Sequence, residues 1–375
     1  MAKDHFVPRH YLRRFTVNGS EEIIVSKVSP YRFEGSKGLG WACQQPDFYE
    51  GDKTLNQVLW TSENDLAPVL VRVVQNENFT EPELVALRWL VVTMKVRTRK
   101  AAEAYKLFPK RLFYEVIQSG IDRGDLPPPP EEKWTEEMVD CSGVSGFLLK
   151  NSVIPCAMEM QTLACKLLKA PAGTFFITSD NPVMVLNQFC SAVERFRNFT
   201  GFSKAGFQLL MPISPSLCVF FYDAKVYKVG SRRHRLVSIT ADDVDVVNAL
   251  QIQSAEEFVF FHDRSLEAEI RRLVSQYSGH RVPVQDGLQT LAGPKEGEEL
   301  LHFKQLSVKL LRAWAFCRKR RHVNACVGDR RDPAWTALID ELMNDFDKNP
   351  KGGDIHARIE KILADPHSLK NIRLR

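Results

Sequence analysis

Two side chains with chemistry to offer, the carboxylate of Asp180 and the amide of Asn181, follow the short apolar run Phe175-Phe176-Ile177 and directly precede Pro182. The run is aromatic and β-branched, which predicts a buried strand. Pro182 biases Asn181 toward extended geometry and removes a ladder donor, so the chain must turn or leave the sheet here. A rigid strand that delivers an acid to a loop is a common basis for an active site. The same residues also suit an Asx-turn, in which Asp180 and Asn181 bond their own backbone.

A second group lies at the opening, His5-Phe6-Val7-Pro8-Arg9-His10-Tyr11-Leu12-Arg13-Arg14-Phe15. Pro8 suits a first helical position. Tyr11, Leu12 and Phe15 then share one face, and Arg9 and Arg13 lie one turn apart on another, where two guanidiniums can reach one anion. A solvated basic face is the plainer alternative. Glu63 and Arg97, on the first long helices, complete a candidate set of His5, Arg9, Glu63, Arg97, Asp180 and Asn181. In this set Glu63 and Asp180 hold a divalent metal such as Mg or act as base, and His5 is acid or base. Arg9 and Arg97 hold a phosphate. The chemistry expected is hydrolysis of a phosphodiester, as a nuclease or phosphodiesterase. The alternative is a non-catalytic module that contacts nucleic acid or a protein partner through basic helices. Arg318-Lys319-Arg320-Arg321 is the run suited to phosphates, although cations are favoured at a helix C-terminus anyway. No P-loop, dinucleotide fingerprint, nucleophile elbow or H-E-x-x-H is present.

The positioning elements follow from periodicity. Ile23 to Val28 reads as a strand, and residues from about 30 to 54 as irregular. Leu55 to Gln75 reads as a helix interrupted or restarted near Pro68. Thr80-Glu81-Pro82-Glu83 caps a helix running to about Lys106, and Pro109 begins another. Pro127 to Pro130 form a stiff spacer. Residues 134–169 read as helical, including the apolar stretch Ala157 to Leu168. A strand-rich part follows, in which the runs Gly206 to Pro215 and Leu217 to Tyr222, with Pro212 and Pro215 bracketing a tight connection, read as adjacent antiparallel strands. Thr240-Ala241-Asp242-Asp243 caps a helix to about Ser254, Phe258 to Phe261 is a strand, and Leu266 to Ser275 a helix. Phe303 to Cys317 reads as an amphipathic helix in a charged tail.

The expected fold is therefore α+β: a helical N-terminal part (1–125) joined through the Pro-rich linker 126–133 to a helix and antiparallel sheet (134–278). These form one core, followed by a linker at 279–298 and a helical appendage over 299–375. Of 375 residues, 44% are hydrophobic and 26% charged, with 23 Phe and a net charge of +5. That balance fits a globular chain and does not mark the whole molecule as a nucleic-acid binder. The opening residues lack an apolar core for a signal peptide, and no run approaches a membrane span. The eight cysteines form no C-x-x-C pair. Cys317, His322 and Cys326 fall short of the four ligands a closed zinc site needs. The cysteines suit small buried side chains in a reducing cytoplasm.

The opening His5-Phe6-Val7-Pro8-Arg9 with Tyr11-Leu12 and Phe15, the run Phe176-Ile177-Thr178-Ser179-Asp180-Asn181-Pro182, and Met211-Pro212-Ile213-Ser214-Pro215 together resemble a bacterial family known as domain of unknown function 4238. The later helix with Asn248 is a looser match. The resemblance covers roughly residues 3 to 265 and departs mildly at His10 and Ile213. It implies a soluble protein and marks His5, Pro8, Arg9, Asp180, Asn181 and Pro182 as motif positions. It implies no particular activity.

Overall fold

The computed structural model describes residues 3–49, 53–125, 152–153, 155–188, 201–284, 288–292, 299–303 and 307–321, with 127 and 323. Its first half contains β1 (Lys3–His5), α1 (Arg9–Leu12), β2 (Glu22–Val28), β3 (Tyr31–Gly38), β4 (Gln44–Pro46), α2 (Lys53–Asn76), α3 (Glu81–Val96) and α4 (Arg99–Asp122). Six short strands follow: β5 (Ala164–Lys169), β6 (Thr178–Ser179), β7 (Met184–Leu186), β8 (Gln208–Pro212), β9 (Leu217–Tyr222) and β10 (Tyr227–Val229). Then come β11 (Leu236–Ser238), α5 (Ala241–Ser254), β12 (Phe258–Phe261), α6 (Glu267–Tyr277), β13 (Leu288–Ala292), β14 (Glu299–Phe303) and β15 (Cys317–Lys319).

Two sheets carry the core. One has the order β3-β2-β12-β6 and is antiparallel throughout. The other has the order β11-β5-β9-β8-β7, with only β11 and β5 parallel. Helices with small, mostly antiparallel sheets make the fold α+β, as the sequence predicts. Segment 180–183 is the step from one sheet to the other, since β6 ends at Ser179 and β7 begins at Met184. Strands β8 and β9 are adjacent and antiparallel, with Pro212 opposite Cys218, in agreement with the sequence reading.

The caps read from sequence form as expected. Thr80 and Glu83 make a reciprocal capping box on α3, and Thr240 and Asp243 make one on α5. Each satisfies two backbone groups that a helix start would leave bare. Tyr11, Leu12 and Phe15 are fully buried, so the face their spacing predicts does point inward. Among the described residues, no helix is long and apolar enough to cross a membrane.

Several expectations are corrected. Residues 175–177 are not a strand. Asn248 replaces the ladder there: its Oδ1 accepts from Ile177 N at 3.0 Å and its Nδ2 donates to Phe175 O at 2.9 Å. Part of the segment expected to be irregular is β3, which hairpins onto β2. Pro68 lies inside a continuous α2, and α4 runs unbroken through position 109. The helix expected from Leu84 to Lys106 breaks at Arg97-Thr98, where Thr98 caps α4. Ala164–Lys169, read as helix, is β5, because β9 and β11 flank it and its apolar run is buried. Where a helix is expected from Phe303 to Cys317, Phe303 ends β14 and residues 307–316 are irregular and lead into β15. These residues are no separate appendage, since Val308 N donates to Val185 O at 3.2 Å and Trp314 packs on Phe220. The Pro-rich linker (save residue 127), His322, Cys326 and the tail from 324 onward lie outside the described residues.

Candidate functional site

The site is organised by the break between α3 and α4, where four consecutive side chains bond in different directions. Arg97, which is 3% exposed, donates from Nη1 to Glu63 Oε1 at 2.7 Å, from Nη2 to His5 O at 2.6 Å and from Nε to Tyr49 Oη at 3.2 Å. Thr98 Oγ1 donates to Asn181 Oδ1 at 3.1 Å. Arg99 pairs with Glu256 and Glu257, at 2.8 and 3.1 Å. Lys100 Nζ donates to Ser254 O at 2.8 Å, and burial pushes its ammonium down to about 7. A continuous helix would aim these four residues around its circumference. The kink and the Thr98 cap let them tie the N-terminus, the step between sheets and the start of β12 together.

Asp180 is buried at 2% exposure, and neither of its oxygens is free. Oδ1 accepts from Glu256 N at 2.8 Å, and Oδ2 accepts from Glu257 N at 2.7 Å and Phe258 N at 2.9 Å. Burial pushes the carboxyl up, while these three amides and the nearby Lys100 pull it back. Asn181 is equally engaged. Its Nδ2 donates to Ser254 O and Oγ, each at 2.9 Å, and its carbonyl accepts from Ser254 Oγ at 2.8 Å and Gln251 Nε2 at 3.2 Å. The strand-end pair therefore binds protein backbone, as the turn alternative holds, but the backbone is that of residues 254–258 rather than its own. Glu63 and Asp180 have separate partners, and no group of three or more His, Cys, Asp or Glu among the described residues is arranged to hold a metal ion.

The remaining candidates gather around Glu63. Its Oε1 takes Arg97, and its Oε2 faces His10 Nδ1 at 3.8 Å. Burial alone would raise the Glu63 carboxyl; His10 and Arg97 outweigh it and hold the pKa down at about 2. Burial, with Arg9 and Arg97 nearby, lowers the His5 pKa below 6.5, against an opposing pull from Glu63. The Nε2 atoms of His5 and His10 are buried without a hydrogen-bond partner among the described residues. Arg9 and Arg13 do converge on one anion, but it is Glu21 of the same chain, at 3.2 and 2.5 Å in an exposed pair.

The sequence reading missed His10, Tyr49, Thr98, Lys100, Gln251 and Ser254. Thr98 carried a readable signal, as a cap residue inside a long apolar helix. The others join only through the fold. Of the basic run, Arg318 and Lys319 lie on strand β15 rather than at a helix end, and Arg320 is held by its Nε on Ala224 O at 2.9 Å and Tyr227 O at 3.2 Å.

The break at Arg97-Thr98, the Glu63 cluster and the Asp180-Asn181 step all lie within residues 3–265. Residues 3–265 match the family described as "Protein of unknown function (DUF4238)", and the chain belongs to that family. No curated protein matches the chain, and no solved structure does.

Proposed function

We propose that the protein is a hydrolase of phosphodiesters, a nuclease or phosphodiesterase, with general acid–base chemistry at His5 and His10. The observation that carries this reading is the pair of buried, unbonded Nε2 atoms in one cluster with Glu63 and Arg97. An unpaired buried polar nitrogen costs about 1–3 kcal/mol, and two in one cluster call for a role.

In this reading His5, neutral at pH 7, takes the proton of the attacking water on Nε2. Glu63 faces His10 Nδ1 and fixes the ring's orientation, and His10 Nε2 protonates the leaving oxygen. The bond from water oxygen to phosphorus forms as the bond to the leaving oxygen breaks. Arg9 holds the phosphate, because its exposed pairing with Glu21 is weak enough to exchange. Arg97 becomes a positioning residue for Glu63 and for the His5 backbone. Asp180 and Asn181 hold the scaffold. Because both Nε2 atoms are shielded, turnover requires their cover to open.

A second reading, a non-catalytic module for nucleic acid or a protein partner, is favoured by the complete bonding of Asp180 and Asn181 within the fold. The free state of Cys43, Cys156, Cys165, Cys218 and Cys317 suits a reducing cytoplasm under either reading. The discriminating experiment incubates purified protein with labelled DNA and RNA, with and without Mg, beside His5→Gln and His10→Gln. Loss of cleavage in both variants supports the hydrolase. Absence of cleavage by the unaltered protein under all conditions favours the module.

A further inference from the structure

Strands β10 and β15 form a two-stranded antiparallel ribbon in which Lys228 sits directly opposite Arg318. Both side chains are exposed on one face, while Tyr227, Val229 and Cys317 turn inward. Like charges directly opposite on a ladder are destabilising, since their Cβ atoms stand only about 4.5–5.5 Å apart. No carboxylate among the described residues pairs with either one, nor with the neighbouring Arg232 or Arg320. The whole chain carries only +5, so this is a local concentration of charge.

The ribbon also borders two hollows. One, of about 600 Å³, is lined by Lys228, Arg232, Arg320 and Tyr222. The other, of about 420 Å³, is lined by Lys228, Arg318 and Phe316, and by Asp243, whose carboxylate is taken up by Thr240 and the Ala315 amide. Gly230 lines both. It has φ +54°, and a Cβ there would stand 2.8 Å from Val237 Cγ2, so no other residue fits the shared floor without a shift. Arg320 is fixed in place through Nε, which leaves its two terminal nitrogens for a ligand. Phe316 is part-buried and braced edge-on against Phe220, with ring centroids 5.6 Å apart.

We infer that this double hollow binds single-stranded nucleic acid, with Lys228, Arg232, Arg318 and Arg320 on the phosphates, Phe316 beneath a base and Tyr222 closing the wall of the larger hollow. A positive groove interleaved with aromatic rings is how sequence-tolerant single-strand sites are built. Concavity favours a single strand, because its backbone can enter hollows of this size and a rigid duplex cannot. The inference does not depend on the histidine cluster being catalytic, and its test reads binding rather than cleavage.

The test is fluorescence anisotropy of the full chain in EDTA with a labelled 12-nucleotide DNA, the same sequence as RNA, and its duplex, from 50 to 200 mM salt. Four phosphate contacts on a single strand give a log–log salt slope of about −2.8, so affinity falls about 50-fold over that range. Lys228→Gln with Arg318→Gln, both exposed, should weaken binding at 50 mM salt by tenfold or more. It should also halve the slope, leaving a fall of about sevenfold. The comparison is Arg32→Gln with Arg123→Gln, which removes the same charge from other elements. DNA and RNA binding alike assigns the site to the shared backbone; preference for RNA adds its 2′-hydroxyl to the recognition. No binding, equal loss in the comparison variant, or a duplex bound as tightly as the single strand would overturn the inference.

Discussion

The hydroxyl of Tyr11 lies 2.6 Å from Thr178 Oγ1, and it donates onward to Pro212 O at 2.7 Å. One phenol thus joins three separated segments within the family match: the opening, the step between sheets and the β8–β9 turn. Tyr11 is fully buried, and burial holds its hydroxyl protonated far above neutral pH. Tyr11→Phe keeps the ring and removes the hydrogen bonds, leaving Pro212 O without this donor. It should cost about 1–3 kcal/mol, read as a lower urea midpoint at unchanged slope.

Asp180→Asn tests the structural assignment of the strand-end acid. The substitution preserves shape but replaces one acceptor oxygen with an amide that must face backbone N–H groups. Stability should fall by about 2–4 kcal/mol. The loss should appear in thermal denaturation before any assay of activity is made.

Arg97→Met should be among the most damaging single changes, at about 3–5 kcal/mol, because it leaves the Glu63 charge half-buried without its main partner. Arg97→Lys should recover only part of this, since a point ammonium cannot reach Glu63, His5 O and Tyr49 together. Chemical denaturation of the three proteins ranks them.

The Glu63 pKa of about 2 lies below its ordinary 4.5, so the stability it confers is fully present above about pH 4.5. It is lost as pH falls from there toward 2. The full shift corresponds to about 3 kcal/mol, trimmed to about 2 because the side chain is 29% exposed. Glu63→Gln should flatten that part of the stability–pH curve, as followed by urea midpoints between pH 2 and 6.

Much of this architecture was written locally. Thr80 with Glu83 and Thr240 with Asp243 announce helix starts because a cap is a short-range motif, and Tyr11, Leu12 and Phe15 announce a buried face by spacing alone. The misread stretches are those settled by distant partners. Ala164–Lys169 becomes a strand because β9 and β11 lie on either side of it, and Phe175–Ile177 is held by the amide of Asn248, about 70 positions on. The candidate site divided in the same way. His5, Glu63 and Arg97 were identified by type and do meet, whereas Asp180 looked like an exposed acid because nothing nearby in sequence shows the three amides of 256–258 that enclose it.

The most direct test compares kcat/KM on a labelled single-stranded substrate for His10→Gln and Asp180→Asn, each corrected for folded fraction. The account predicts a loss of at least about 100-fold for His10→Gln with little change in Tm. For Asp180→Asn it predicts a large drop in Tm but activity within a few-fold of the unaltered protein once corrected. Full activity in folded His10→Gln, or abolished activity in folded Asp180→Asn, would contradict it.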